Sequence, residues 1–206
     1  MKLQVAIDRV TLDHAIAIVD AVKDVTDILE IGTSLVKDYG LESVRQIRRR
    51  APDLTILADI KTMDEGAYEF EAVYDAGADI ATVMGAAAYD TVAVCYEIAL
   101  KRQRDIMVDL METTTEKIAG FAPMDMALYC VHLPKDGPQT EIIGKVDEFC
   151  HRYPKLRRVA VAGGVTLRQI PLLTRLSIEV CVVGSAVAGA VDPHAAAAEF
   201  LCALRN

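Results

Sequence analysis

The order of apolar and amphipathic segments constrains the fold of this chain more than any other feature of its sequence. Eight short apolar runs, each followed by a polar or glycine residue and then an amphipathic stretch, read in order LQVAI, DILEI, LTILA, IATVM, DIMVDL, MALYCV, RVAVA and EVCVV. Runs this short and this continuously apolar are typical of strands buried on both faces. Alternating strands and helices predict a parallel sheet, and eight units in about 200 residues fit a small closed barrel. We therefore expect an α/β fold, a single-domain (β/α)8 TIM barrel over residues 1–206.

An open, doubly wound sheet is the competing arrangement of alternating strands and helices. No GxGxxG follows any of the eight runs, although a dinucleotide-binding sheet carries one after its first strand. Seven of the eight gaps hold clear helical patterns, such as Leu12–Val22 behind a Thr11 cap. The segment ETTTEKIAG carries the weakest helical pattern, a helical stripe runs over 167–176, and Asp192 with Pro193 marks the start of the last helix.

Composition and charge exclude several classes of protein and partner. With 52% hydrophobic and 25% charged residues, the chain is too apolar for a disordered segment. Charged residues interrupt every apolar run well before the roughly 18 residues needed to cross a bilayer, so we expect no membrane partner. The 22 basic and 30 acidic residues leave a net charge of −8 without a basic stripe, which argues against nucleic acid. Five cysteines without a CxxC pair, and no signal-peptide pattern, predict a cytoplasmic protein without disulfides or zinc.

Polar or glycine residues end all eight predicted strands. In chain order they are Asp8, Glu30, Asp59, Gly85, Asp109, His132, Gly163 and Gly184. A parallel barrel brings all strand ends to one rim, where the active sites of such enzymes lie. Crowded carboxylates repel one another unless a cation intervenes. The rim therefore predicts a metal site, with capping of the next helix as the alternative explanation for Asp8 and Asp109.

The most specific local pattern is an Asp-x-Lys-x-x-Asp sequence after the third run. It consists of Asp59, Lys61 and Asp64. A helix cap with an ion pair is the structural alternative. A cap explains one acid, but it does not explain a lysine held between two carboxylates on a tight turn from strand to helix. We therefore expect these residues to carry chemistry.

A Gly-Gly pair closes the seventh strand and a Gly-Ser pair closes the eighth. They are Gly163 with Gly164, and Gly184 with Ser185. Glycine lets backbone amides approach an anion closely, and a helix that begins at Ser185 directs its positive end toward the same place. Barrels of this kind most often bind phosphate after these two strands. Tight turns are the alternative, but two such pairs on adjacent strands predict a phosphorylated ligand.

Taken together, these motifs resemble the orotidine monophosphate decarboxylase suprafamily. Within it, the chain is similar to two sister families, the 3-hexulose-6-phosphate synthases and the 3-keto-L-gulonate-6-phosphate decarboxylases. The likeness covers nearly the whole chain and rests on LQVAID, DILEIGT, LADIKTMDEG, AGADIATVMGA, VDLM, CVH, VAGGV and VVGSA, in that order.

The resemblance implies a role for each rim residue. It implies that Glu30 and Asp59 hold Mg²⁺, which accepts hard oxygen ligands and needs only one or two carboxylates. Lys61 would place a second positive charge beside the oxyanion of a cis-enediolate. The remaining implied roles are a hydrogen bond to a substrate hydroxyl from Asp8, ordering of substrate and water by Asp109, proton transfer by His132, and a contribution from Asp64 to the partner's site across a homodimer interface. From its position alone, His132 is explained equally well as a structural imidazole.

Two activities are implied, and they share the enediolate. The synthase condenses formaldehyde with D-ribulose 5-phosphate to D-arabino-3-hexulose 6-phosphate; the decarboxylase gives L-xylulose 5-phosphate and CO₂. Asp109 and the sequence Ala162-Gly163-Gly164 are typical of synthases. Lys135, three residues after His132, departs from the synthase pattern and places a cation where a carboxylated substrate could be bound. A catalytically silent sugar-phosphate-binding protein is the alternative from another class.

Overall fold

The computed structural model describes residues 1–137 and 141–205. Within those residues, eight parallel strands form a closed barrel in which neighbours in sequence pair and the last strand pairs with the first. The strands are β1 (Lys2–Ile7), β2 (Ile28–Ile31), β3 (Thr55–Thr62), β4 (Ile80–Met84), β5 (Asp105–Asp109), β6 (Leu128–His132), β7 (Val159–Ala162) and β8 (Val180–Val183). The predicted (β/α)8 barrel is confirmed.

Helices cover the outside of the barrel and connect successive strands. They are α1 (Leu12–Val22), α2 (Thr33–Tyr39), α3 (Leu41–Arg50), α4 (Gly66–Asp75), α5 (Tyr89–Lys101), α6 (Thr115–Gly120), α7 (Ile142–Arg152), α8 (Ile170–Leu173), α9 (Ser185–Ala188) and α10 (Pro193–Arg205). Among the described residues, no helix is long and apolar enough to cross a membrane.

Local sequence signals explain where several helices begin. Thr11 Oγ1 accepts a hydrogen bond from His14 N at 3.3 Å at the start of α1, and Asp192 Oδ1 accepts one from Ala195 N at 3.0 Å at the start of α10. The helix expected over 167–176 is wrong in extent. The structure has a 3₁₀ turn, Leu167–Gln169, followed by the short α8. Pro171 has no amide hydrogen to donate, so it does not continue a preceding helix and instead lies in the first turn of α8.

The strand pleat separates two apolar cores. Outward-facing strand residues pack against the helices in one large cluster. Inward-facing residues fill the barrel with a second cluster, Ala6, Ile28, Leu57, Ile80, Met107, Leu128, Cys130, Ala160, Ala162, Val180 and Val182. Each fully buried Leu or Ile stabilises the fold by roughly 1.5–3 kcal/mol. The barrel interior is therefore a packed core rather than a channel.

At the carboxyl ends of five strands, the inward positions change from apolar to polar. The polar residues stand two positions after an apolar interior residue, and they are Glu30, Asp59, Thr82, Asp109 and His132. Because side chains two apart on a strand share a face, these residues lie directly above the apolar interior. The fold thus places them together at one end of the barrel.

Candidate active site

Four side chains form a continuous chain of contacts across β3, β5 and β6. Lys61 Nζ donates to Asp59 Oδ2 at 2.8 Å and to Asp109 Oδ2 at 3.2 Å. His132 Nδ1 lies 2.7 Å from the same Asp109 Oδ2. The structure therefore brings together four of the residues that the sequence singles out, at the rim where barrel enzymes carry their active sites. We call Asp59, Lys61, Asp109 and His132 the rim cluster.

An irregularity in β3 positions Lys61. The strand is longer than the sequence predicts and continues to Thr62, with a shift of its register against β4 between Ala58 and Thr62. Lys61 has φ 48°, a left-handed value that a lysine rarely adopts. Lys61 and Asp59 therefore belong to an irregular strand end rather than to a turn between strand and helix. Strained backbone of this kind clusters at functional sites.

Thr82 links this backbone to Asp59. The residues that end the predicted strands do not include Thr82. Its Oγ1 accepts a hydrogen bond from Lys61 N at 2.8 Å and donates one to Asp59 Oδ1 at 2.8 Å. Thr33 Oγ1 donates to Asp59 Oδ2 at 2.8 Å. Asp59 is thus held by three side chains. Thr82 could have been predicted from its position, because it follows the inward-facing Ile80 by two residues and therefore shares its face of the strand.

Glu30 lies beside this cluster on β2 and is buried, with 9% of its surface exposed. Burial and then the negative charge of Asp59 raise its pKa to about 8, against the opposite effects of a hydrogen bond from Gln4 and the charge of Lys61. An ionised Glu30 is therefore unfavourable unless a cation approaches it. Glu30 and Asp59 lie on adjacent strands and repel each other when both are ionised. Their carboxylate oxygens are hard donors of the kind that Mg²⁺ binds.

The described residues contain no group of three or more His, Cys, Asp or Glu side chains arranged around a metal. Glu30 and Asp59 supply two carboxylates, and Mg²⁺ keeps several positions for water and substrate oxygens. The donor set therefore fits Mg²⁺ and is too small for a closed structural metal site.

The two ends of the Lys61–Asp109 pair both favour their charged forms. Burial acts to lower the pKa of Lys61, but the charges of Asp59 and Asp109 outweigh it and the pKa lies above the usual lysine value. Burial acts to raise the pKa of Asp109, but the hydrogen bond and charge of His132 and the charge of Lys61 outweigh it and the pKa lies below its usual value. The cluster thus holds a fixed ammonium ion and a fixed carboxylate.

Asp8 binds the start of α2. Its Oδ1 accepts hydrogen bonds from Ser34 N at 3.1 Å and Ser34 Oγ at 2.7 Å. Gly32 makes room for it, because a Cβ at that position would lie 2.2 Å from Asp8 Cγ. The predicted alternative, that Asp8 caps the helix that follows it, is wrong, since Thr11 caps α1.

Asp109 does not cap the helix after it either. Its Oδ1 accepts a hydrogen bond from Met111 N at 3.0 Å, while Thr114 Oγ1 accepts one from Lys117 N at the start of α6. The carboxylate of Asp109 is therefore directed to the turn and to the rim cluster.

The Gly-Gly and Gly-Ser pairs lie side by side, because β7 pairs with β8. Gly163 has φ 101° and Gly164 has φ 66°, which only glycine adopts without strain. A Cβ at Gly163 would lie 2.6 Å from the backbone oxygen of Leu133. Gly184 precedes α9, which begins at Ser185. The pairing thus brings both turns to the same side of the rim.

Two further predicted residues, Asp64 and Lys135, are exposed and also lie outside the rim cluster. Asp64 is exposed, accepts a hydrogen bond from Glu65 N at 2.9 Å, and lines a shallow groove of about 310 Å³ with Tyr68 and Val94. Lys135 is exposed and forms no ion pair with any residue that the structure describes. A single chain does not bring either residue to Lys61.

A cavity of about 450 Å³ lies at the opposite end of the barrel, at the starts of β4 and β5. Its charged lining residues are paired: Arg104 with Asp79, and Asp105 with Arg158. Since its charges are satisfied within the fold, we assign no ligand to this cavity.

Comparisons with known proteins agree with this arrangement. The family described as orotidine 5'-phosphate decarboxylase / HUMPS matches residues 1–200. A 3-hexulose-6-phosphate synthase of Mycobacterium gastri is 32% identical, over 99% of this chain and 100% of that protein, and one of Methylomonas aminofaciens is 34% identical over 96% of each. A crystal structure of 3-hexulose-6-phosphate synthase has a TM-score of 0.90 and 34% identity, over 99% of this chain and 100% of that chain. The chain therefore belongs to the orotidine 5'-phosphate decarboxylase / HUMPS family.

Proposed function

We propose that this enzyme is a 3-hexulose-6-phosphate synthase, a carbon–carbon lyase that reversibly condenses formaldehyde with D-ribulose 5-phosphate. The rim cluster carries the proposal, because it places a charged lysine, a charged aspartate and a histidine in mutual contact at the barrel rim. Relatives that bear this name and align over nearly their whole length support it.

Glu30 and Asp59 would hold a Mg²⁺ ion at the rim. When bound, the ion supplies Lewis-acid stabilisation of negative charge on substrate oxygens. The residues contribute two carboxylates whose repulsion a divalent cation relieves; burial first and then this repulsion raise the pKa of Glu30. Thr33 and Thr82 hold Asp59 so that its orientation does not depend on the ion.

Lys61 would stabilise the enediolate formed from ribulose 5-phosphate. Its ammonium group is held in a fixed place by Asp59 and Asp109, so no reorganisation is needed when negative charge develops on the substrate. The partly buried position, with 26% of the side chain exposed, strengthens this interaction relative to water.

His132 would move the proton. Because Asp109 is ionised and lies against Nδ1, that nitrogen donates to the carboxylate and Nε2 is left as the basic nitrogen. Nε2 would take the proton from the carbon beside the ketone and return it in the reverse direction. Asp109 thus sets the tautomer of the histidine.

The substrate phosphate would bind at the paired turns of β7 and β8. The glycines Gly163, Gly164 and Gly184 leave backbone amides accessible, and Ser185 begins α9 at the same place. Asp8 would accept a hydrogen bond from a substrate hydroxyl. Asp64 would complete the site of a second copy in a homodimer, which explains why it lies outside the rim cluster of its own chain.

One observation favours a second function. Lys135 lies three residues after His132 and forms no ion pair within the described part of the chain, so its charge remains available to a carboxylated substrate. The alternative is therefore the 3-keto-L-gulonate-6-phosphate decarboxylase activity, which needs the same enediolate. A sugar-phosphate-binding protein without activity would need no Lys61, Asp59 or Glu30.

The test compares both reactions on one preparation. With Mg²⁺ and D-ribulose 5-phosphate, we expect formaldehyde consumption; with 3-keto-L-gulonate 6-phosphate, CO₂ release should be slower or absent. A higher value of kcat/KM for the second substrate would assign the decarboxylase. Binding of ribulose 5-phosphate without turnover of either substrate would assign the binding protein. Lys61→Ala serves as the inactive control.

A further inference from the structure

Gln4 places a buried amide in an apolar part of the barrel interior. Its side chain is 0% exposed, and its register partners are Ile28 on β2 and Val182 on β8. Its Nε2 donates to Glu30 Oε2, while its Oε1 is buried and accepts no hydrogen bond from the described residues. A buried amide whose acceptor is unpaired destabilises a fold relative to an apolar side chain of similar size. The unpaired oxygen therefore does not account for a glutamine at this position.

The hydrogen bond to Glu30 does account for it. Among the described residues, Gln4 is the one side chain that donates a hydrogen bond to Glu30. Asp59, in contrast, accepts hydrogen bonds from Lys61, Thr33 and Thr82. When Glu30 is ionised, as a metal ligand must be, the opposite orientation of the amide would set its oxygen against a carboxylate oxygen, so that state permits one orientation. Oε2 of Glu30 is occupied by this bond, and Oε1 has no donor in the part of the chain that the structure describes.

We propose that Gln4 is a positioning residue for the divalent cation, because its amide fixes the Glu30 carboxylate so that one oxygen stays available as a ligand. The inference rests on the proposed function, in which Glu30 and Asp59 hold Mg²⁺. Side chains that orient a metal ligand typically change metal affinity by 10- to 100-fold when they are removed. Gln4 carries no charge, and among the described residues its side chain hydrogen-bonds to Glu30 and not to the rim cluster, so it acts through Glu30.

The test uses Gln4→Met, which removes the amide and keeps a side chain of similar volume. Mn²⁺ serves as the spectroscopic probe, and free Mn²⁺ is counted by electron paramagnetic resonance during titration of the whole chain. We expect the dissociation constant to rise about 10- to 100-fold, and urea unfolding in EDTA checks that the variant is folded under the conditions of the titration. Met107→Leu is the matched control, because Met107 is an interior residue of β5 on the far side of the barrel, and it should leave Mn²⁺ affinity unchanged.

A double-mutant cycle separates the roles of Gln4 and Glu30. Glu30→Gln should weaken Mn²⁺ binding, and adding Gln4→Met to that variant should weaken it no further. Further weakening in the double variant would overturn the proposal, because Gln4 would then act without Glu30. Wild-type affinity in Gln4→Met would also overturn it by assigning the amide to the fold alone. Wild-type affinity in Glu30→Gln would instead remove Glu30 from the metal site and thereby contradict the proposed function.

Discussion

Lys61 Nζ lies 2.8 Å from Asp59 Oδ2, and the two residues are two positions apart on β3. Side chains at such positions normally stand side by side on one face. Here the left-handed backbone of Lys61 and the register shift in β3 turn the ammonium group toward both Asp59 and Asp109. Asp59 and Asp109 therefore both restrain the ammonium group of Lys61, and removal of either carboxylate should leave that group less fixed.

Removing Asp59 should abolish turnover. Asp59→Ala takes away a proposed metal ligand and one of the two carboxylates that hold Lys61. We expect the rate of formaldehyde consumption to fall by more than about 100-fold. Removing a side chain that only orients a metal ligand already lowers metal affinity or activity by 10- to 100-fold, and Asp59 is a proposed ligand itself. The measurement is kcat/KM at saturating Mg²⁺. Cys95→Ala is the control for a buried change away from the rim, and equal losses in the two variants would contradict the site.

Replacing His132 should stop proton transfer while substrate still binds. For His132→Gln we expect the exchange of the reacting proton of ribulose 5-phosphate with D₂O, followed by NMR, to slow by about 10²- to 10⁴-fold. His14→Gln, in the first turn of α1, is the matched control and should exchange at the wild-type rate. Wild-type exchange in His132→Gln would leave the imidazole with a structural role only.

Stability without metal should depend on the ionisation of Glu30. Its pKa is about 8 in the fold and near 4.5 when the side chain is exposed, so the contribution of Glu30 to the stability of the metal-free chain is fully present below pH 4.5 and is lost as the pH rises through 8. In EDTA, Glu30→Gln should therefore raise the free energy of unfolding by a few kcal/mol more at pH 8.5 than at pH 5, as measured by urea titration. A gain that is independent of pH would contradict the raised pKa.

Adding Mg²⁺ should stabilise the wild type more than Glu30→Gln. A ligand that binds only the folded state stabilises it by about 2.7 kcal/mol at 100 times its dissociation constant. We expect Mg²⁺ to raise the thermal midpoint of the wild type and to leave that of Glu30→Gln unchanged. Equal stabilisation of both proteins would place the cation elsewhere.

Filling the turn after β7 should weaken substrate binding more than it slows the reaction. Gly164→Val removes the left-handed conformation and covers backbone amides, so KM for ribulose 5-phosphate should rise roughly tenfold with a smaller change in kcat. Gly40→Val is the matched control, since Gly40 has φ 60° with no neighbouring atom within 4 Å and lies at the end of α2. An unchanged KM in Gly164→Val would move the phosphate away from this turn.

The sequence by itself determined the barrel and the identity of its rim. Eight apolar runs separated by helical stripes allow parallel pairing, and the alternation of side chains along a strand places Glu30, Asp59 and Asp109 above the apolar interior. Spacing within one strand is a local property, so it can be read without knowledge of the neighbouring strands. The same reasoning predicted that His132 would join the carboxylates.

Only the tertiary structure decided which side chains hold these residues. Gln4 reaches Glu30 across 26 positions of sequence, and Thr82 reaches Asp59 across 23. The left-handed turn at Lys61 depends on the register of β3 against β4, and Asp8 binds α2 rather than α1. Contacts between strands depend on register and on the path of each connection, which a pattern within one segment does not contain.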